Sequence, residues 1–185
     1  MTPQEPRDPV AIGPEVRERE ARALDQVRER LDERCARAVE RLESARRIVV
    51  TGVGKSGAVA AKLAATLTST GSPASHLHPT EALHGDLGIV GPEDVVIALS
   101  KSGRSGELLE LLPHLRRVGV RILALVEDAD SPLAREADVA VPMGRIAEAC
   151  SLDLVPTAST TATMALGDAL AVAPFQRRGR NAGGF

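Results

Sequence analysis

Short apolar runs alternate along this sequence with longer stretches in which apolar positions recur every three or four residues. The short runs predict β-strands and the longer stretches predict α-helices. The predicted strands cover 47–51, 74–77, 94–99, 120–126 and 137–142, and helices begin near 58, 107, 131 and 162. This alternation predicts an α/β fold with a doubly wound, mostly parallel five-stranded sheet flanked by helices.

The first part of the chain has a different pattern. Residues 1–13 are rich in proline and poor in apolar side chains, which predicts a mobile N-terminal arm. From Pro14 onward, apolar residues recur at helical spacing and predict one long amphipathic helix. Its apolar positions are Leu24, Val27, Leu31, Cys35, Val39 and Leu42. We expect residues 14–185 to form a single domain.

The strand at 94–99 ends in the hydroxyl-rich turn Ser-Lys-Ser-Gly-Arg-Ser (100–105), and a helical pattern follows at once. The first N–H groups of a helix lack partners within it, and the helix dipole adds partial positive charge there. Three serines, Gly103 and two cations, Lys101 and Arg104, therefore predict an anion site, with phosphate as the natural ligand. A plain Ser/Gly turn before a capped helix accounts for this segment equally well.

Two further segments repeat this arrangement. Gly-Val-Gly-Lys-Ser-Gly (52–57) joins a strand to a helix, as phosphate-binding loops do, but matches neither a Walker A loop nor G-x-G-x-x-G. A tight turn that needs glycine explains it as well. A second hydroxyl cluster, 157–161, precedes the last helix. Gly119 is placed to end one helix, and Ser131 with Pro132 to start another.

Composition narrows the possible functions. The chain has two Phe, no Tyr and no Trp, so recognition by stacking on bases or sugar faces is disfavoured. A net charge of −2 gives no argument for nucleic acid or membrane binding. Cys35 and Cys150 form neither a disulfide framework nor a zinc motif, which favours a reducing cytoplasm. The polar stretch 78–87 holds two histidines and two acids without ligand spacing, so a metal site is disfavoured.

Several unusual motifs in order carry a more specific resemblance. They are GVGKSG (52–57), HPTEALHGDLG (78–88), SKSGRS (100–105), DSPLAREADV (130–139), EACSLDLVPTASTTAT (148–163) and LGDALAVA (166–173). This set resembles the sugar isomerase (SIS) domain family, and within it the arabinose-5-phosphate isomerase branch. Longer members of the branch carry a pair of cystathionine-synthase-type regulatory modules, which we expect this protein to lack.

The resemblance implies an aldose–ketose isomerase that acts on a phosphorylated sugar through an enediol, needs no organic cofactor and assembles as a homotetramer. It implies Lys55 for stabilising negative charge, His84 for proton transfer and Glu148 as a candidate base. The family's glutamate in the serine turn is replaced by Arg104, and its C-terminal histidine by Asn181. The residues assigned to the sugar phosphate are Gly54, Ser56, Ser100, Lys101, Ser102, Gly103, Ser105, Thr157 and Thr160.

The two replacements leave two main interpretations open. In the first, the protein isomerises a different phosphorylated sugar, such as a longer-chain ketose phosphate, and Arg104 and Lys101 supply extra positive charge. In the second, catalysis is lost and the domain binds a sugar phosphate as a sensor or partner subunit. Retention of Lys55, His84 and Glu148 favours the first. A hexulose-phosphate isomerase is a third possibility, which the motifs at 78–86 and 148–162 disfavour.

Overall fold

The computed structural model describes residues 8–179, and five strands within them form a single sheet. The strands are β1 (Ile48–Gly52), β2 (Ala74–His76), β3 (Val95–Leu99), β4 (Arg121–Val126) and β5 (Val139–Pro142). Every neighbouring pair is parallel, and the strand order is β2-β1-β3-β4-β5. The predicted five-stranded, doubly wound α/β fold is confirmed.

Helices cover both faces of the sheet. They are α1 (Pro9–Glu29), α2 (Glu33–Ser44), α3 (Lys55–Ser69), α4 (Pro79–Leu83), α5 (Gly106–Val118), α6 (Pro132–Glu136) and α7 (Ala158–Arg177), with a 3₁₀ helix at Asp86–Ile89. The first three and α7 pack into one apolar core, and α4, α5 and α6 pack into the other. None of the helices within residues 8–179 is both long and apolar enough to cross a membrane.

The central strand β3 explains why its sequence reads as an uninterrupted apolar run. Side chains alternate across a strand, so Val95, Ile97 and Leu99 enter one core while Val96 and Ala98 enter the other. All five are buried, because both faces of the sheet are covered. Burying a side chain such as Ile97 stabilises the fold by about 2 kcal/mol.

The N-terminal prediction needs correction. Helix α1 begins at Pro9, so residues 9–13 are helical and do not belong to an irregular arm, while residues 1–7 lie outside the described residues. The Asp8 carboxylate caps the helix by accepting the N–H of Val10 at 2.9 Å. Pro9 occupies the first position, where the missing N–H would have had no partner in any case. Pro9, one of the prolines that suggested an arm, is thus compatible with a helix start.

The predicted long helix is also wrong, because it is two helices, α1 and α2, separated at Arg30–Asp32. Asp32 starts the second helix by accepting the N–H of Arg34 at 2.8 Å. Leu24 and Leu31, which were counted on the apolar face, are 39% and 46% exposed. The buried positions on these two helices include Ala23 and Ala38, which were not among the predicted apolar positions. The buried face of the helices therefore differs from the predicted one.

Smaller differences concern the connections. The stretch 78–87, predicted as irregular, contains α4 and the start of the 3₁₀ helix, and α7 begins four residues earlier than its predicted start. The two predicted helix ends are confirmed: Gly119 adopts the left-handed conformation after α5, and the Ser131 hydroxyl caps α6.

The turn between β3 and α5 is held against the start of α6 by a close backbone approach. Gly103 has a φ of +63°, and a Cβ atom at this position would lie 2.2 Å from Oγ of Ser131. The Gly103 carbonyl also accepts the N–H of Leu133 at 3.1 Å. Only glycine fits this position without moving the turn or the Ser131 cap.

We therefore expect Gly103→Ala to lower the free energy of unfolding by about 3 kcal/mol, because it adds both an unfavourable φ and a steric overlap. Gly106→Ala is the matched control, since nothing lies within 4 Å of the position its Cβ would take. The control should change stability by less than about 1 kcal/mol. Urea denaturation measures both values, and equal stabilities for the two variants would contradict the packing argument.

Candidate functional site

The strand order places a crevice at one point on the carboxyl edge of the sheet. From β1 the chain crosses to β2 on one side, and the later strands β3, β4 and β5 build outward on the other. The connections that follow the neighbouring strands β1 and β3 therefore diverge to opposite faces and leave a crevice between them. The turns at 52–57 and 100–105 are these two connections, so the two segments singled out by their glycines and serines lie side by side.

The first turn leads directly into α3. Gly54 has a φ of +58° and precedes Lys55, the first residue of the helix. Lys55 is exposed, and among residues 8–179 no partner is found for its ammonium group. Gly52 and Gly57 allow the turn to be tight, because a Cβ on Gly52 would lie 2.9 Å from the Ser56 backbone. The turn thus presents a free cation and the start of a helix at the crevice.

The second turn presents hydroxyl groups. Ser100 is buried, and its Oγ lies 2.9 Å from Oγ of Ser105. The exposed Ser102 hydroxyl accepts the backbone N–H of Arg104 at 3.2 Å. Arg104 itself is exposed, and no partner for its guanidinium is found in the described part of the chain. Three predicted ligands, Ser100, Ser102 and Ser105, are thus brought together with one unpaired cation.

The starts of α3 and α5 differ from those of the helices α1 and α2. Asp8 and Asp32 cap α1 and α2 with their carboxylates. The residues at the corresponding positions of α3 and α5, Gly54 and Ser105, make no side-chain capping bond within the described residues. The first N–H groups of both helices are therefore available to a ligand, and their partial positive charge favours an anion. We refer to turns 52–57 and 100–105 with these two helix starts as the anion cradle.

Glu148 contacts Lys101 of the cradle turn, and both oxygens of its carboxylate accept hydrogen bonds. Its side chain is 2% exposed and accepts Nζ of Lys101 at 2.7 Å and Oγ of Ser159 at 2.5 Å. It also accepts the backbone N–H groups of Thr157 at 2.8 Å and Ser159 at 3.2 Å. The carboxylate therefore caps α7 from the segment that precedes this helix.

This environment decides the protonation state of Glu148. Burial alone would raise its pKa, but the hydrogen bonds from Lys101, Ser159 and the Thr157 N–H outweigh burial and lower the pKa to about 2. A carboxylate with this pKa and with both oxygens occupied is a weak proton acceptor. The geometry thus favours a structural role for Glu148 over the role of base that the resemblance implies.

The ammonium of Lys101 is paired with carboxylates of the protein. Besides Glu148, its Nζ lies 3.7 Å from Oε1 of Glu127. Burial lowers the pKa of Lys101, but the hydrogen bond to Glu148 and the charge of Glu127 outweigh burial and hold the pKa above its ordinary value. The charge of Lys101 is therefore balanced within the protein, and its predicted contact with a phosphate is not supported by this arrangement.

The predicted ligands at the start of α7 are also engaged elsewhere. The Thr157 hydroxyl accepts the N–H of Ala149 at 2.8 Å and lies 3.2 Å from Glu148. The Thr160 hydroxyl donates to the Thr157 carbonyl at 2.7 Å. Both threonines thus make hydrogen bonds within the chain, and their contact with a sugar phosphate stays a prediction.

Two further residues were predicted to be catalytic, His84 and Asn181. His84 ends α4 in the connection between β2 and β3, is exposed, and has no side-chain partner among the described residues. Asn181 lies outside those residues. Within 8–179 no three His, Cys, Asp or Glu side chains are grouped so as to hold a metal ion.

Sequence reasoning missed Glu127 and Ser159. Glu127 follows β4 directly, as Ser100 follows β3, so its place at the carboxyl edge was a usable signal. Ser159 lay within the predicted hydroxyl cluster, but its pairing with Glu148, eleven positions earlier, has no signal in the local pattern.

Comparison with known proteins agrees with the fold and with the ordered motifs. The family model described as SIS domain matches residues 41–173. Arabinose 5-phosphate isomerase KdsD of Pseudomonas aeruginosa is 45% identical over 164 residues, which are 88% of this chain and 50% of that protein. The protein of the same name from Escherichia coli K12 is 50% identical over 139 residues, which are 75% of this chain and 42% of that protein.

One solved structure, a protein of E. coli CFT073 in complex with arabinose 5-phosphate, superposes with a TM-score of 0.91 at 36% identity. The match covers 95% of this chain and 94% of that one. The chain spans about half the length of the curated relatives it matches.

We expect Glu148→Gln to lower the free energy of unfolding at neutral pH by about 3 kcal/mol, which is the value of a pKa lowered from 4.5 to about 2. The stabilisation is present above the unfolded-state pKa and is lost as the pH falls through the folded-state value. The difference between the two proteins should therefore shrink as the pH falls from 4.5 to about 2.

Urea denaturation at several pH values measures this difference. Glu110→Gln is the matched control, because Glu110 is an exposed carboxylate on α5, and it should change stability by less than about 0.5 kcal/mol. A Glu148→Gln protein as stable as the control at neutral pH would show that the network contributes nothing.

Proposed function

This chain belongs to the SIS-domain family, and we propose that it isomerises a phosphorylated sugar between its aldose and ketose forms. The proposal is supported by the isomerase names of relatives at 45% and 50% identity and by the arabinose 5-phosphate complex of a structural neighbour. These names describe proteins of which this chain spans about half, so the activity is proposed from the site.

One observation carries the proposal: two helix starts without side-chain caps flank the crevice between β1 and β3. A phosphoryl group there would accept the first N–H groups of α3 and α5 together with the serine hydroxyls. Ser102 and Ser105 are the side chains best placed to donate, since Ser100 is buried behind them. Hydrogen bonds and charge suffice for such a ligand, which suits a chain almost without aromatic residues.

The chemistry needs groups that move protons and stabilise charge. After the sugar ring opens, a base takes the proton from C2 of the aldose, and the electrons shift to the carbonyl oxygen at C1. The oxygen at C1 then takes up a proton to give the enediol. Loss of the proton from the C2 hydroxyl re-forms a carbonyl at C2 while C1 is protonated, which gives the ketose. We assign Lys55 to stabilising the negative charge and His84 to proton transfer, because both side chains are exposed and lack a partner within residues 8–179.

The choice of sugar is proposed from Arg104. Its guanidinium, which has no partner within residues 8–179, adds a positive charge at the start of α5, where the family pattern has a carboxylate. We propose that it contacts the phosphate or a further anionic or hydroxyl group of a longer-chain ketose phosphate. Homotetrameric assembly and a cytoplasmic location, expected from the resemblance and the composition, belong to the same proposal.

A second candidate function is that of a sugar-phosphate sensor or partner subunit without catalysis. The state of Glu148 favours it, because the carboxylate that resembles the family's base is ion-paired and saturated with hydrogen bonds. The unpaired Lys55 and His84 favour the isomerase.

The decisive experiment offers the purified protein a panel of aldose and ketose phosphates from pentose to octose, including arabinose 5-phosphate, in D₂O. We expect aldose–ketose interconversion of at least one substrate, with deuterium entering at the carbon that is reprotonated.

His84→Asn should lower kcat at least about tenfold, because it removes a proton carrier. His114→Asn is the matched control, since His114 lies on α5 away from its start.

The outcome separates the two candidates. A sugar phosphate that raises the melting temperature but is never converted would contradict the isomerase and support the sensor. Turnover unchanged in His84→Asn would remove His84 from the mechanism.

We expect Arg104→Gln to raise KM for the accepted sugar phosphate about fivefold and to leave kcat nearly unchanged, because the guanidinium would bind substrate and transition state alike. Arg117→Gln, at the opposite end of α5, is the matched control and should change neither value. Steady-state kinetics measure both, and an unchanged KM in Arg104→Gln would exclude a contact between Arg104 and the substrate.

A further inference from the structure

Glu127 connects the anion cradle to the segment that carries Glu148. It follows β4 directly, and its backbone N–H donates to the Lys101 carbonyl at 2.9 Å. Its own carbonyl accepts the N–H of Gly144 at 3.0 Å, and its Oε1 accepts the N–H of Ile146 at 2.9 Å. One residue thus bonds both to turn 100–105 and to the segment after β5.

The Glu127 side chain also faces Lys101, whose ammonium lies between two carboxylates. Nζ of Lys101 is 2.7 Å from Glu148 and 3.7 Å from Glu127, and the Glu127 side chain is only 15% exposed. Because Lys101 belongs to the cradle turn, the two carboxylates that its ammonium contacts lie next to that turn. Replacing either carboxylate therefore alters the electrostatic surroundings of the cradle.

The two carboxylates have different capacities for a proton. Glu148 is saturated with hydrogen bonds and stays ionised down to a pKa of about 2. Burial raises the pKa of Glu127, and the charge of Glu148 adds to this rise, while the N–H of Ile146 and the charges of Lys101 and Arg145 oppose it. Glu127 is therefore the carboxylate of this pair that takes up a proton first as the pH falls.

The net charge around Lys101 changes with that proton. Glu127 faces the cations Lys101 and Arg145 and the carboxylate of Glu148, and Arg19 bonds the Glu148 carbonyl at 3.2 Å. Protonation of Glu127 removes one negative charge from this group. An ionised Glu127 next to the cradle turn therefore opposes a doubly charged anion more than the protonated form does.

We infer that Glu127 is a positioning residue that acts on the anion cradle through Lys101, holding this cation on the carboxylate pair and weakening anion binding by its own charge. The inference rests on the cradle of the proposed function and does not require turnover.

Sulfate is the probe, because its charge stays constant over the pH range in which carboxylates titrate. We expect Glu127→Gln to bind sulfate about threefold more tightly than the unmutated protein at neutral pH, since one nearby negative charge is removed. The two affinities should converge as the pH falls through the titration of Glu127, because the unmutated protein loses the same charge. Isothermal titration calorimetry measures both proteins across that range.

Glu110→Gln is the matched control, because it removes an exposed carboxylate from the second turn of α5. It should change sulfate affinity by less than about 1.5-fold. Equal affinities of Glu127→Gln and the unmutated protein at every pH, or an equally large change in the control, would overturn the inference.

A second measurement needs no variant. Binding linkage is reciprocal, so saturating sulfate should raise the pKa of the Glu127 carboxyl measured by carbon-13 NMR in the unmutated protein. A Glu127 pKa that does not move with sulfate would overturn the inference even if the variant fails to fold. Sulfate binding without conversion of any sugar phosphate would contradict the proposed isomerase alone, whereas absent sulfate binding would overturn the cradle itself.

Discussion

The buried Glu148 carboxylate is the interaction on which the rest of this site depends. A charge removed from water is tolerated only when cations and N–H groups surround it, and here they come from separate parts of the chain. Lys101 comes from the turn after β3, and the N–H groups of Thr157 and Ser159 come from the start of α7, while Arg19 of α1 bonds the Glu148 carbonyl at 3.2 Å. This single residue thus fixes how α1, α7 and the cradle turn are placed relative to one another.

The hydrogen bonds of Glu148 also make the start of α7 different from the starts of α3 and α5. The positive end of α7 is neutralised by Glu148, whereas those of α3 and α5 have no side-chain cap within the described residues. An anion would therefore be attracted to the crevice between β1 and β3 rather than to the start of α7. The same carboxylate that loses basicity through its hydrogen bonds thereby helps to restrict the ligand to one place.

The structural elements that could be predicted from the sequence are those that depend on interactions between residues close together in the chain. The strands, the glycine ending α5, the Ser131 cap and the two glycine- or serine-containing turns all depend on neighbouring residues, and their positions follow from periodicity and turn chemistry. The break between α1 and α2 was missed because Leu31 continues the apolar spacing although it is exposed. The pairing of Lys101 with Glu148 spans 47 positions and depends on which strands are adjacent, so no local pattern contains it. The family resemblance supplied roles for Glu148 and Lys101, but the hydrogen bonds that alter those roles are visible only in three dimensions.

The close approach of Gly103 to Ser131 has a consequence for how the protein can change during evolution. The backbone of the cradle turn packs closely against the start of α6 at Ser131. It therefore cannot shift to accommodate a new ligand without disturbing the packing of α6 in the core. Selection for another substrate would then change exposed side chains of the turn, such as those at positions 102 and 104, while the backbone conformation of the turn stays the same. Variation in this protein's relatives should accordingly be exchange of side-chain chemistry at a constant turn length, and insertions or deletions between β3 and α5 should be the rarest changes in the domain.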